Sequence, residues 1–170
     1  MGTIYKKELL SIENIAIMDF KNLNWTKSVT PQDELWAYSE FPIHYLFKLN
    51  WKDNKINANK PQKNDLILLR QRGYVTHLVK VLDYKSEDDD WQGDFNIYRI
   101  VEIIWVISWE NPPIFAKADE LFGYKEVLHY QGGDVMELNT LPSFNKHWDS
   151  NGGLDNFQNR VRTALFENTV

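Results

Sequence analysis

Arg70 and Arg72 flank Gln71 in a tight connection, Arg70-Gln71-Arg72-Gly73, between two apolar runs. Side chains at alternate positions of a strand share a face. Two guanidinium groups so placed can clamp a phosphate or the edge of a guanine. Upstream, Lys48, Lys52 and Lys55 surround Trp51. Lysines there can follow a phosphate backbone while the indole stacks a base. Trp36, Trp51, Trp105 and Trp109 can wall a pocket for a flipped base, which is held by stacking and by hydrogen bonds to its edge. Each residue also has a plain structural use: the arginines can solvate a hairpin, and Trp105 can fill a core.

Other chemistry is missing. The chain has no cysteine, which removes disulfides, thiolate metal sites and thiol nucleophiles. His44, His77, His129 and His147 are scattered, none with a partner at metal-ligand spacing. No phosphate-cradling glycine motif and no nucleophile elbow occurs. The segment 85–96 carries Glu87-Asp88-Asp89-Asp90, but without the alternating oxygen ligands of a calcium loop. No catalytic residue, metal or cofactor is therefore expected, and binding chemistry remains.

Charge is unevenly spread. The net charge of −5 disfavours a polyanion partner. Over 42–81, however, eight Lys and Arg stand against two Asp, while over 82–137 four stand against thirteen Asp and Glu. A field divided this way can attract a polyanion to one side, provided that clustering in sequence is clustering in space. Residues 1–10 lack the apolar segment of a signal peptide, and no apolar run approaches the ~20 residues that span a bilayer. The expectation is a soluble cytoplasmic protein without membrane contact.

At 170 residues a single domain is expected. The runs 66–70 and 74–84 read as strands joined by a turn at Gly73, and 98–109 as a strand apolar on both faces. In that last run, Val101, Ile103, Trp105, Ile107 and Trp109 share one parity. Leu35 to Tyr38 reads as an aromatic first strand, 43–51 as helix or strand, and the Asn-rich 52–64 as loop. Apolar spacing over 8–23 suggests an imperfect helix outside the sheet. A short helix over 116–122 ends at Gly123, a hairpin spans 127–138, and Pro142 closes that unit. The stripe Leu154, Phe157, Val161, Ala164 and Leu165 predicts a C-terminal helix over 149–167. Together these give an α+β fold: a small curled β-barrel flanked by helices.

The order of elements carries a resemblance. An aromatic first strand is followed by the polar turn Asn64-Asp65, the strand Leu66-Ile67-Leu68-Leu69, a glycine-containing return ending in Val79-Lys80-Val81, and a long apolar strand. Over 33–140 this resembles the PUA-like superfamily, in particular its EVE and YTH branch. Asn64 stands where those domains typically have glycine. Residues 1–32 would then be an N-terminal extension and 149–167 a helical cap. The resemblance implies binding of DNA or RNA without catalysis, often by holding a modified or flipped base in an aromatic cage. It puts cage positions at Trp36, Ser39 and Trp51 and around the barrel mouth. It also implies a place in a restriction or defence system of bacteria or phages. A different class of function is a protein-interaction domain that docks a partner through the acidic 85–94 stretch and exposed aromatics. A third is an enzyme acting on a nucleotide or small ligand in the barrel mouth, although no catalytic group is named by the sequence.

Overall fold

The computed structural model describes residues 19–29 and 35–167. Seven strands form one sheet: β1 (Leu23–Ser28), β2 (Leu46–Trp51), β3 (Leu66–Gln71), β4 (Tyr74–Val81), β5 (Glu87–Asp88), β6 (Ile97–Val106) and β7 (Val135–Glu137). Their spatial order is β2-β6-β4-β3-β1-β7, with the two-residue β5 added to β6. Among the described strands only the β1–β3 pair is parallel. The sheet curls into a mixed half-barrel. Four helices accompany it: α1 (Lys55–Ala58), α2 (Ala118–Phe122), α3 (Pro142–Trp148) and α4 (Gly153–Arg162). The α+β class, the curled sheet and the C-terminal helix agree with the sequence expectation.

The sheet is covered on both faces, which is why β3 is buried at all six positions. On the concave side Phe47, Leu49, Trp51, Ile67, Val79 and Val101 pack together. On the convex side Leu66, Leu68 and Leu78 meet α2, α3 and α4, whose Phe122, Phe144, Trp148 and Phe157 form an aromatic cluster. Burying such a side chain contributes about 1.5–3 kcal/mol. A bulge in β6 places Ile104 between the residues opposite Leu78 and Val79. A bulge exchanges the two faces of a strand. Trp105 and Ile107 therefore join the helix side, while Val101 and Ile103 stay on the concave side.

Several expectations are corrected. Residues 35–40 form turns rather than a first strand. The first strand is β1, whose polar Asn24, Thr26 and Ser28 hide its character. The helix expected over 8–23 lies outside the described residues up to position 18, and its end, Leu23, begins β1. No hairpin spans 127–138, because β7 pairs with β1 instead. Pro142 opens α3 rather than closing a unit, as its fixed φ and missing N–H suit a first helical turn. The polar 52–64 stretch contains α1.

The open seam between the edge strands β2 and β7 is tied by α1. Asn57 Oδ1 accepts from Trp51 Nε1 at 2.8 Å and from the Val135 amide at 2.7 Å. Its Nδ2 donates to the Val135 carbonyl at 2.9 Å. Nearby, the fully buried Arg99 joins β6 to this region, donating to Asp83 Oδ1 at 2.6 Å and to the carbonyls of Ala58 and Pro61.

Candidate functional site

The parallel pair β1 and β3 ends side by side, with Ser28 opposite Arg70. Beyond these ends, the turns 35–40, the loop 91–95 and the stretch 127–133 enclose a cavity of about 1140 Å³. Gln71 holds one wall in place. Its Oε1 accepts from the Ala37 amide at 2.8 Å, and its Nε2 donates to the Leu35 carbonyl at 3.2 Å. A glutamine side chain thus supplies the backbone pairing that an edge strand would have given.

Aromatic walls and cationic groups alternate around the cavity. Trp36, Tyr38, Trp91, Phe95 and Tyr130 line it, together with Lys27, Lys52, Arg70 and Arg72. The β3–β4 turn has both central residues at positive φ, Arg72 at 52° and Gly73 at 81°, as right-handed sheet twist prefers in a two-residue hairpin. The Arg72 guanidinium lies 5.0 Å from the Trp36 ring centroid. Tyr38 (59°) and Phe95 (68°) also adopt the left-handed conformation. A non-glycine residue there costs roughly 1–2 kcal/mol. Three such residues on one cavity mark a wall held against local preference, as binding sites are.

Two buried cations distinguish the floor. Arg70 is 5% exposed. Its Nε donates to Thr26 Oγ1 at 2.7 Å and its Nη1 to the Tyr130 carbonyl at 2.8 Å, with the Tyr130 ring 5.6 Å away. Its Nη2 is buried and makes no hydrogen bond. Burial pulls its pKa down to about 10. Lys27 is 3% exposed. Among the described residues its Nζ reaches the Ser28 carbonyl, at 3.5 Å, and the Trp51 ring, 5.0 Å from the centroid. Desolvation lowers its pKa to about 7, against the opposing pull of Asp134 and with a small push from Arg70.

A second layer fixes these groups. His77 has no exposed surface. One ring nitrogen meets Thr76 Oγ1 at 2.8 Å and the other the Tyr38 carbonyl at 3.3 Å, and burial lowers its pKa to about 4. Burial raises the pKa of the Tyr38 hydroxyl to about 12, and the hydroxyl oxygen accepts from the Asn50 amide at 3.2 Å. Behind Tyr130, its hydroxyl contacts those of Tyr124 and Ser143. Burial and Tyr130 push the Tyr124 pKa upward.

Of the residues that the sequence singled out, Arg70, Arg72, Lys52 and Trp36 meet at this cavity. The others are placed elsewhere. Lys48 pairs with Asp89 at 2.6 Å, which raises its pKa, and Lys55 pairs with Asp88 at 3.0 Å. Trp51 is sealed in the concave core by its bond to Asn57. Trp105 faces Phe115 on the helix side, carried there by the β6 bulge. Trp109 does not line the cavity but backs Trp36, with centroids 5.4 Å apart. Ser39 lies in the 37–40 turn, outside the lining. The sequence reading passed over Lys27, Tyr38, Trp91, Phe95 and Tyr130. Lys27 had a readable signal: it shares strand parity with Trp25 and Val29, and a lysine on an apolar strand face is uncommon. Among the described residues, no group of three or more His, Asp or Glu is placed to hold a metal ion, and no helix is long and apolar enough to cross a membrane. Compared with protein families, curated proteins and solved structures, the chain matches none of them.

Proposed function

We propose that this protein is a nucleic-acid-binding module of PUA-like type, cytoplasmic, that takes a flipped or modified base into the cavity and has no catalysis of its own. The observation that carries this reading is the convergence of aromatic rings with Lys27, Lys52, Arg70 and Arg72 on a single concavity. Rings such as Trp36 and Trp91 offer stacking faces, worth about 1–3 kcal/mol per base. Lys52 and Arg72 are exposed at the rim, where they meet phosphates. The three left-handed wall residues support the same reading, since such strain is kept where a site is pre-formed. A DNA or RNA strand carrying a modified base is the ligand, and a restriction or defence system is the setting.

The competing interaction-domain reading has less support. Its acidic docking loop is engaged with the protein's own lysines, through the Asp88–Lys55 and Asp89–Lys48 pairs.

Fluorescence anisotropy with labelled single-stranded and mismatched duplex oligonucleotides tests the proposal. Affinity is expected to fall steeply from low to moderate salt. Replacing Arg72 by glycine, which suits the turn's positive φ, and Lys52 by alanine should each reduce the salt slope by about one. Affinity indifferent to salt, or no binding at all, would overturn the reading.

A further inference from the structure

The cavity floor holds two buried basic side chains, Arg70 and Lys27. Among the described residues, neither Arg70 nor Lys27 forms a salt bridge. Asp134 is the acidic group whose charge reaches Lys27, and its Oδ2 accepts from Asn54 Nδ2 at 3.0 Å. Asp134 is not part of the lining, and the acidic groups that are, Glu40 and Asp94, are solvent-exposed. A buried charge without a partner is costly, and a buried donor without an acceptor adds to that cost. Among the described residues, Arg70 Nη2 has no acceptor, and the Lys27 ammonium has one at the outer limit of hydrogen-bond distance. The floor therefore supplies donors and positive charge but offers few acceptors.

We infer that the cavity floor is an oxyanion site: the ligand enters with a carboxylate or phosphate group, which accepts hydrogen bonds from Arg70 Nη2 and Lys27 Nζ. The inference rests on the nucleic-acid reading for the class of molecule, and it narrows the choice within that class. A base bearing only a methyl group leaves both donors unanswered. A base carrying a carboxylate, or a strand ending in a phosphate, answers both. Charge-assisted hydrogen bonds to a desolvated guanidinium and ammonium are the strong kind, about twice a neutral bond. The lowered pKa of Lys27 agrees, since an anion supplies the counter-charge whose absence destabilises the ammonium.

Three paired titrations on the full chain test it: a nucleoside 5′-monophosphate against its nucleoside, a 5′-phosphorylated against a 5′-hydroxyl oligonucleotide, and an oligonucleotide with one internal 5-carboxylcytosine against the same strand with cytosine. At least one anionic member should bind about tenfold or more tighter than its neutral counterpart. The pair showing this preference identifies the source, terminal phosphate or base carboxylate. In Lys27→Met the preference should fall below about twofold with no loss of melting temperature, because that change removes a buried amine without breaking a short hydrogen bond. Arg70→Gln should also abolish the preference, although Arg70 additionally holds Thr26 and Tyr130. Equal affinity within every pair, a preference that survives Lys27→Met, failure of Lys27→Met to fold, or no binding of any probe overturns the oxyanion site. Mononucleotides bound with the preference and oligonucleotides not bound would sink the nucleic-acid reading alone. Oligonucleotides bound, with no preference in any of the three pairs, would sink only the oxyanion site.

Discussion

His77 is the residue whose titration bears most directly on the wall of the cavity. Its neutral ring has one N–H, which the Tyr38 carbonyl accepts, leaving the other nitrogen to accept from Thr76. Folding lowers its pKa from the ordinary 6.5 to about 4. The sign follows from proton counting. Above about pH 6.5 neither folded nor unfolded chain binds the proton, and stability is unaffected. Between about 6.5 and 4 the unfolded chain takes it up and the folded chain does not, so stability falls as pH falls. The loss is on the order of 3 kcal/mol when complete. Urea unfolding at pH 7 and pH 4 should show the wild type losing that much more than His77→Gln, which keeps a donor for the Tyr38 carbonyl. An equal acid loss in both proteins would assign it to other groups. Lys27 has the same sign in a higher pH window. Its pKa is lowered from 10.5 to about 7, so the penalty of burying it is relieved as pH rises through that window.

At the scale of elements, the half-barrel depends on pieces almost too short to name. α1 has four residues and β7 three, yet one amide joins them. Asn57→Ala removes three buried hydrogen bonds and leaves the Trp51 indole N–H and both backbone groups of Val135 without partners. The expected cost is about 3 kcal/mol, measured by chemical denaturation. Asn57→Asp keeps the two acceptor interactions and, once its own carboxyl is protonated at low pH, regains a donor toward the Val135 carbonyl, so there it should cost less than Asn57→Ala. The strands β3, β4 and β6 were legible as short apolar runs bounded by turn residues, and the amphipathic α4 because its apolar residues recur at the helical period. β1 was not, because Thr26 and Lys27 are buried by tertiary contacts that local pattern does not encode. The aromatic content of Trp36 and Tyr38 imitated a strand, whereas those rings serve as cavity walls on a turn held by Gln71.

At the scale of the whole molecule, the division of charge read along the chain is largely undone in space. β6 pairs with β2 on one edge and with β5 on the other, which brings the acidic 87–90 stretch beside Lys48 and Lys55. Lys27, Lys52, Arg70 and Arg72 gather at the cavity, within a chain of net charge −5. Long-range repulsion should therefore slow association with nucleic acid. Glu87 and Asp90 are exposed, and neither makes one of the two lysine pairs of this loop. Changing both to their amides should raise the association rate severalfold at low salt, measured by stopped-flow. The gain should disappear once the Debye length falls to about 3 Å, near 1 M salt. A gain that persists at high salt would point to a local contact instead.

Composition and periodicity alone established an aromatic-rich α+β chain without thiol chemistry, with an apolar strand hairpin carrying Arg70 and Arg72 at its turn and a helix at its C-terminal end. These features are local: each is written in neighbouring residues and survives any arrangement of the rest. Which cations share a cavity is not local. Arg70 meets Lys27 because two parallel strands, forty-odd residues apart in sequence, end together, and Trp105 leaves that face because one bulged residue in β6 inverts its parity. Long-range pairing, register and burial decided those placements, and no spacing along the chain encodes them.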